Sequence, residues 1–334
     1  MKPLIFDGAQ VPNKAALNAY LSFSETHPIQ KREVRLLAEA CDEITRLVCA
    51  NKKDQLLFFS SKHETLNAIF QALYIDLMAP TGRNHILTTA EHAKIFEPFT
   101  KVGAVAKILE PNEQGLITAE EVAKKISPRT ALLSVPWADS KTGVIHPIWE
   151  IAKTAREQGV YVHVDASAVL GKLFFRLEDL PVDFLSFEGS ATGAPKGVAV
   201  LFQKFLTPLE LSLPEVNNAG IMALGEAIFE MRKRSEFACL EMARLRNLFE
   251  EKVSGEVLFL DSERLPQVSC MQFPGIHAEY LLYHLTDHKL FATYVEEKNA
   301  VSFSLSQEMT EEDVEDAAEC INTVVSKLQE MSPC

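Results

Sequence analysis

The chain has 334 residues, 47% of them hydrophobic and 24% charged, which is an ordinary globular composition and excludes a wholly disordered chain. This length predicts about two domains. Lysine and arginine total 33 and aspartate and glutamate total 46, so the net charge is −13, and no basic tract suited to binding nucleic-acid phosphates is present.

The cysteines bear on the cellular compartment. They form no CxxC pair and show no metal-ligand spacing, so we expect free thiols and no metal site. Five lie in apolar-patterned segments, which predicts burial as small hydrophobic side chains. The sequence has neither an apolar run of about 18 residues nor a secretory signal, so we expect a reduced, cytoplasmic protein that does not contact membranes. The six cysteines are Cys41, Cys49, Cys239, Cys270, Cys320 and Cys334.

Helix and strand patterns alternate through the first two-thirds of the chain. The strand runs are almost continuously apolar, which is typical of a mostly parallel sheet covered by helices on both faces, and this predicts an α/β fold. Strands are predicted at residues 56–59, 86–87, 104–109, 132–135, 160–164, 184–187 and 198–202. Helices are predicted at residues 30–50, 64–78, 91–102 and 147–158, and another opens at a capping box at residue 118.

The pattern changes after about residue 205, where Pro208 and Pro214 interrupt a linker. We therefore expect a large domain at residues 15–205 and a small α+β C-terminal domain at residues 206–334, packing with residues 1–14. Predicted helices in the second part are residues 219–253, 278–285 and 310–330, and predicted strands are residues 257–260, 268–273 and 301–305.

Polar residues follow several of the predicted strands, at the sheet edge where open α/β folds bind their ligands. The strand at residues 160–164 ends on Asp165, whose side chain shares one face of the strand with that of His163. A buried carboxylate needs a partner, so Asp165 indicates a site, with a structural cap or turn as the other interpretation. The candidate partners are His163 on the same face, and His92 and Lys62, which the fold could bring near. We expect Asp165 to be hydrogen-bonded to an imidazole, or its pocket to hold water and an anion beside Lys62 and His63.

Several segments, taken in their order and spacing, resemble the cysteine desulfurases. These are NifS- and IscS-like members of the class V aminotransferase family of pyridoxal-phosphate enzymes. The resemblance runs from about residue 6 to about residue 319 and implies the fold-type-I, aspartate-aminotransferase-like transferase fold. That fold has a doubly wound, mostly parallel seven-strand sheet, a smaller α+β domain and a homodimeric assembly. The segments are TTAEH at residues 88–92, GVIHPI at 143–148, HVDA at 163–166 and APKGV at 194–198.

The resemblance implies an ancestral cofactor pocket. Asp165 matches the carboxylate that pairs with the pyridinium nitrogen, and His92 matches the histidine that stacks on the ring. The other pocket positions are held by His63 in the phosphate loop, Asp139 at the ring-contacting asparagine and Ser190 beside the Schiff-base position.

The groups that carry the family's covalent chemistry are replaced in this sequence. Ala191 stands at the Schiff-base lysine position and Ser302 at the substrate-binding arginine, and residues 293–300, at the mobile cysteine loop, contain no cysteine. We assign no catalytic residue and expect no covalently bound pyridoxal phosphate. Whether the chain is an enzyme stays open, because the resemblance implies a transferase and these replacements predict that it is inactive in that reaction.

The resulting hypothesis is a desulfurase homologue that has lost pyridoxal-phosphate-dependent desulfurase activity. Such a pseudoenzyme would act by binding in iron–sulfur or sulfur-transfer assembly. It would be a homodimer whose partner is a desulfurase or an iron–sulfur scaffold protein. One alternative is an enzyme that binds pyridoxal phosphate noncovalently or uses the old pocket for other chemistry. A further alternative is an active cysteine desulfurase or aminotransferase with substituted groups.

Overall fold

The computed structural model describes residues 4–6, 12–24 and 31–331. The first residue of the helix predicted at residues 30–50 and the last cysteine, Cys334, lie outside these ranges. The chain forms two compact units, and the domain division expected at residues 205/206 stays a prediction. The large unit comprises Val11–Trp137 and His146–Lys233, and the small unit comprises Met1–Gln10, Ala138–Ile145 and Arg234–Cys334.

The regular elements are numbered in chain order. The strands are β1 (Leu4–Phe6), β2 (Gln55–Phe59), β3 (His85–Thr88), β4 (Val105–Ile108), β5 (Thr130–Pro136), β6 (Tyr161–Asp165), β7 (Phe184–Glu188), β8 (Ala199–Gln203), β9 (Glu256–Val257), β10 (Val268–Gln272), β11 (Leu290–Val295) and β12 (Ala300–Ser304). The α-helices are α1 (Lys14–Ser24), α2 (Lys31–Leu47), α3 (Lys62–Leu73), α4 (Ala79–Thr81), α5 (Ala90–Phe96), α6 (Ala119–Lys125), α7 (Ile148–Glu157), α8 (Asn218–Lys252), α9 (Ala278–Asp287) and α10 (Glu311–Met331).

The large unit is built on a seven-strand sheet in the order β2-β8-β7-β6-β5-β3-β4. Strand β8 runs antiparallel to both of its neighbours, and the other neighbouring strands are parallel. The expected mostly parallel seven-strand α/β sheet is therefore confirmed. The central strands are buried on both faces, as their continuous apolar runs predicted.

Three predicted helices of the large unit differ in detail from the structure. The segment predicted at residues 64–78 is α3 followed by a π-helical turn, Tyr74–Met78. Helix α5 ends at Phe96 and continues as a 3-10 helix, because Pro98 has no N–H for an α-helical hydrogen bond. Pro147 is the N-cap of α7 and not its first helical residue. The capping box at α6 is confirmed, since Thr118 accepts a hydrogen bond from the Glu121 amide at 3.2 Å.

The small unit contains a five-strand sheet in the order β1-β11-β12-β10-β9. Strand β11 was missed although its sequence, LFATYV, favours a strand, because the resemblance implied a mobile loop at residues 293–300. It pairs antiparallel with β12 across the short turn Glu296–Lys298. The sheet packs against helices through an apolar core that includes Phe249, Leu281, Phe303 and Ile321.

The burial predicted for the cysteines is confirmed for Cys270 and is wrong for the other four that the structure describes, which are half-buried. These five cysteines form no disulfide with one another. Among the helices of the described ranges, none is long and apolar enough to cross a lipid bilayer.

Candidate functional site

Asp165 is the last residue of β6, at the carboxyl edge of the large sheet, where it lies between β5 and β7. Only 4% of its side chain is exposed. The ammonium nitrogen Nζ of Lys62, the first residue of α3, lies 2.8 Å from Oδ2 of Asp165. The same nitrogen lies 3.1 Å from Oε1 of Glu91, in the first turn of α5. Lys62 therefore bridges a buried carboxylate and a surface carboxylate.

The other oxygen of Asp165 is also satisfied. Its Oδ1 accepts hydrogen bonds from the backbone amide of Ser167 at 2.9 Å and from the Ser167 hydroxyl at 2.6 Å. Burial by itself would raise the pKa of Asp165, but the Lys62 ammonium and the nearby His92 ring hold that pKa well below its usual range. The carboxylate is therefore ionised at neutral pH.

Lys62 shows the complementary balance. Burial favours its neutral form, but the Asp165 and Glu91 carboxylates outweigh that effect and raise the pKa of Lys62 above its ordinary value. Lys62 and Asp165 thus form a buried ion pair in which each charge sustains the other.

His163 does not contact Asp165, so the hydrogen bond considered between them is wrong. The two side chains share a face of β6 but are about 7 Å apart along the strand. The His163 ring instead reaches sideways, with Nδ1 2.9 Å from the Ser134 hydroxyl on β5 and Nε2 2.8 Å from the Ser186 hydroxyl on β7. Burial, followed by the neighbouring His92 ring, lowers the pKa of His163 to about 3, so its imidazole is neutral.

His92 is fully buried in the first turn of α5 and makes two long polar contacts. Its Nε2 lies 3.5 Å from Oδ2 of Asp165, without the alignment of a hydrogen bond, and its Nδ1 lies 3.5 Å from the Ser134 hydroxyl. The imidazole expected on Asp165 is therefore close by, but the ion pair to Lys62 is the short contact.

The amino end of α3, beside this ion pair, is covered by carboxylates of the chain itself. The amide and hydroxyl of Ser60 donate to Oε2 of Glu64 at 2.7 and 2.8 Å. The Ser61 hydroxyl caps the helix by accepting from the Glu64 amide. The amide of Lys62 donates to Oε1 of Glu188, at the end of β7, at 3.2 Å. The backbone and side chains of this segment are thus tied to two glutamates.

The remaining predicted pocket residues lie in different places. His63 is exposed on α3. Ser190 and Ala191 lie in the 3-10 turn Gly189–Thr192, directly after β7. Asp139 belongs to the small unit, where its Oδ1 accepts from the amides of Lys141 and Thr142 at 2.9 and 2.7 Å and closes a local turn.

Residues 293–300, where the resemblance implies a mobile cysteine loop, form a hairpin of the small unit. They complete β11, turn through the 3-10 segment Glu296–Lys298 and begin β12. Ser302 on β12 pairs directly with Cys270 on β10, and both are buried. Burial, followed by the Asp139 carboxylate, raises the pKa of the Cys270 thiol to about 12, so a reactive thiolate is disfavoured there.

The roles of three residues around Asp165 were not predicted from the sequence. Lys62 was recognised only as one of several partners, and Glu188 and Ser167 were not singled out. A signal did exist for Glu64, because Ser61 and Glu64 have the spacing of a capping box. For Glu188 the only signal was an acidic residue at the end of an apolar strand.

Comparison with known proteins identifies the family. The sequence profile of the Aminotransferase class-V family matches residues 16–220, which is more than half of the chain. The chain is similar to the cysteine desulfurase IscS of Dictyoglomus turgidum, with 26% identity over 93% of this chain and 89% of the relative. A cysteine desulfurase of Gluconacetobacter diazotrophicus is 26% identical over 96% of this chain and 92% of its own.

Solved structures show the same fold at lower sequence identity. A NifS-like protein superposes with a TM-score of 0.87 at 20% identity, covering 97% of this chain and 100% of its own. A NifS-like protein from Rickettsia africae superposes with a TM-score of 0.84 at 18% identity, covering 97% and 99%. The fold-type-I architecture implied by the resemblance is confirmed. The chain therefore belongs to the class V aminotransferase family and has a NifS/IscS-like fold.

Proposed function

We propose that this family member does not carry out pyridoxal-phosphate-dependent desulfuration and acts by binding, in iron–sulfur or sulfur-transfer assembly. The observation that carries the proposal is the ammonium group of Lys62, 2.8 Å from Oδ2 of Asp165. The carboxylate that would pair with a cofactor ring nitrogen already has a cation.

The residues of the pocket do not fit pyridoxal phosphate, the cofactor of this family. Oδ2 of Asp165 is held by Lys62 and Oδ1 by Ser167. The Lys62 amide at the amino end of α3, where a phosphate would bind, donates to Glu188. Ala191 offers no amine for a covalent bond.

The small unit supports the same proposal. Cysteine desulfuration needs a mobile thiol that accepts sulfur, and the segment at that position is a hairpin whose residues include no cysteine. Cys270, the buried thiol on β10, has a pKa raised to about 12 and is held within a sheet. Removing a catalytic nucleophile costs on the order of 10⁶ in rate, which binding alone does not replace.

A binding role requires that the fold be kept, and both units retain extensive apolar cores. We propose a homodimer, as the resemblance implies, and as partner a cysteine desulfurase or an iron–sulfur scaffold protein. We also propose a cytoplasmic location, because free thiols persist in reducing compartments.

The first experiment tests the loss of activity. The purified protein is incubated with pyridoxal phosphate, scanned for the absorbance band near about 420 nm, treated with borohydride and digested for mass spectrometry. Sulfide release from cysteine is measured in parallel, with an active cysteine desulfurase as the positive control. After removal of the free cofactor, we expect no band, no stoichiometric reduced adduct at a single lysine and no sulfide. A stoichiometric cofactor bound to one lysine, or catalytic sulfide release, would overturn the proposal.

The second experiment tests the binding role. Tagged protein is recovered from its native cell, its partners are identified by mass spectrometry, and the candidate is purified and titrated against this protein by calorimetry. We expect saturable binding to a desulfurase or an iron–sulfur scaffold protein. Failure of both purified partners to bind would contradict it. Sedimentation at micromolar concentration tests the dimer, and a monomer there would contradict that part.

A further inference from the structure

Charged side chains of the protein occupy both ends of the pocket around Asp165: Lys62 at the carboxylate and Glu188 at the amino end of α3. We propose that Lys62 and Glu188 are the specificity-determining residues that exclude a pyridine-ring phosphate: Lys62 takes the place of the ring cation and Glu188 that of the phosphate. This inference rests on the proposed function and names the residues responsible for it.

At the cation end, the ring nitrogen of such a ligand would need Oδ2 of Asp165. That oxygen lies 2.8 Å from Lys62 Nζ, and only 18% of the lysine side chain is exposed. A second cation placed there would face the ammonium at close range in a region of low dielectric, where like charges repel strongly. Displacing Lys62 would break a buried ion pair without leaving the ammonium fully hydrated.

At the anion end, helix α3 has 12 residues, and the amino end of a helix normally favours an anion. Here that preference is already met from within the chain. The Lys62 amide donates to Glu188, and the Ser60 amide and hydroxyl donate to Glu64. An incoming phosphate would lose these donors and would meet carboxylates of its own sign.

Lys62 joins the two ends physically. Its backbone amide contacts Glu188 and its side chain contacts Asp165, so both ends depend on the position of one residue. Glu188 is held in turn, because its own amide donates to the hydroxyl of Ser167, which also donates to Asp165. The closed set Lys62, Asp165, Ser167 and Glu188 leaves each charge of the pocket matched by an internal partner.

The test uses Lys62→Met, Glu188→Ser and the double variant, with calorimetric titration of three probes. Pyridoxine carries the ring without phosphate, inorganic phosphate tests the other end, and pyridoxine 5′-phosphate tests both. None of these probes has an aldehyde, so none can bond covalently to a lysine. Matched controls are Lys94→Met and Glu210→Ser, which alter exposed residues.

We expect Lys62→Met to gain affinity for pyridoxine and Glu188→Ser to gain affinity for phosphate. The double variant should bind pyridoxine 5′-phosphate more tightly than the unaltered protein. Each of the two substitutions should contribute at least about 10-fold, since a hydrogen bond to a charged group contributes roughly 1.5–3 kcal/mol. The controls should show no gain. If Lys62→Met does not fold, as judged by circular dichroism, Lys62→Ser replaces it, because its short polar side chain leaves room for water beside Asp165 without holding Oδ2.

The outcomes separate this inference from the proposed function. If the unaltered protein and the double variant both fail to bind pyridoxine 5′-phosphate, the inference is overturned while the proposed loss of activity stands. The same holds if a control variant gains as much affinity as the double variant. If the unaltered protein binds pyridoxal phosphate through a lysine, the proposed function itself fails.

Discussion

Lys62 and Asp165, which are far apart in the chain, form a buried ion pair with 2.8 Å between Nζ and Oδ2. Their exposed side-chain fractions are 18% and 4%. Removing one partner of such a pair leaves an uncompensated charge in a region that water reaches poorly.

Lys62→Met should therefore lower the free energy of unfolding by about 3–5 kcal/mol, measured by urea denaturation. Adding Asp165→Asn to the same chain should recover much of that loss, because the charge left unpaired is then removed. Lys94→Met, on the exposed face of α5, is the matched control and should stay within about 0.5 kcal/mol of the unaltered protein. A loss below about 1 kcal/mol for Lys62→Met would contradict the burial of the pair.

His163 should make stability depend on pH. In the unfolded chain its ring takes up a proton below about pH 6.5, whereas burial keeps the folded ring neutral down to a pKa of about 3. The unfolded state then binds more protons, so stability falls as pH falls through this window, by up to about 1.4 kcal/mol per pH unit.

The measurement is urea denaturation at several pH values between about 6.5 and 4. In His163→Gln the slope of unfolding free energy against pH should decrease by up to about 1.4 kcal/mol per pH unit, the contribution of one titrating group. His63→Gln, which removes an exposed imidazole, is the control for the loss of one histidine. An unchanged slope in His163→Gln would show that the ring does not resist protonation.

A chain of polar contacts runs from Ser186 through His163, Ser134 and His92 to Asp165. This chain predicts the tautomers of the two histidines. A carboxylate only accepts, so Nε2 of His92, 3.5 Å from Asp165, carries a hydrogen. With Nδ1 of that ring accepting from the Ser134 hydroxyl, the Ser134 oxygen accepts from Nδ1–H of His163. Nε2 of His163 then accepts from the Ser186 hydroxyl. In this assignment the hydrogen bonds run from Ser186 through His163 and Ser134 to His92, whose Nε2 lies beside the carboxylate.

Nitrogen-15 NMR of histidine-labelled protein tests this order. We expect the Nδ1–H tautomer for His163 and the Nε2–H tautomer for His92. Ser134→Ala removes the acceptor of His163 and should shift its tautomer toward Nε2–H, with Thr100→Ala as a surface control. Finding His163 as Nε2–H in the unaltered protein would reverse the assigned direction.

Cys270 should resist alkylation. Its burial and its pKa, raised to about 12, leave little thiolate near pH 8. We expect iodoacetamide to label the half-buried cysteines of the native protein before Cys270, as read from peptide masses. The same reagent in guanidinium is the control and should label all of them at similar rates. Rapid native labelling of Cys270 would contradict its enclosure in β10.

The sequence predicted most of the large sheet because its strands are buried on both faces and read as continuous apolar runs. It also drew attention to Asp165 and His92, since polar residues after buried strands mark the edge where such folds bind ligands. Strand β11 was missed although aromatic and β-branched residues favour a strand there, because the resemblance implied a mobile loop at residues 293–300.

By itself, the sequence determined the α/β class, the alternation of helices and strands, and the replacement of family residues at Ala191 and Ser302. These are properties of residue type and local order. Only the tertiary structure decided which group neutralises Asp165, because a carboxylate selects its partner by distance and desolvation and not by position in the chain. The sheet turned His163 toward the serines of neighbouring strands, and α3 brought Lys62 to the carboxylate.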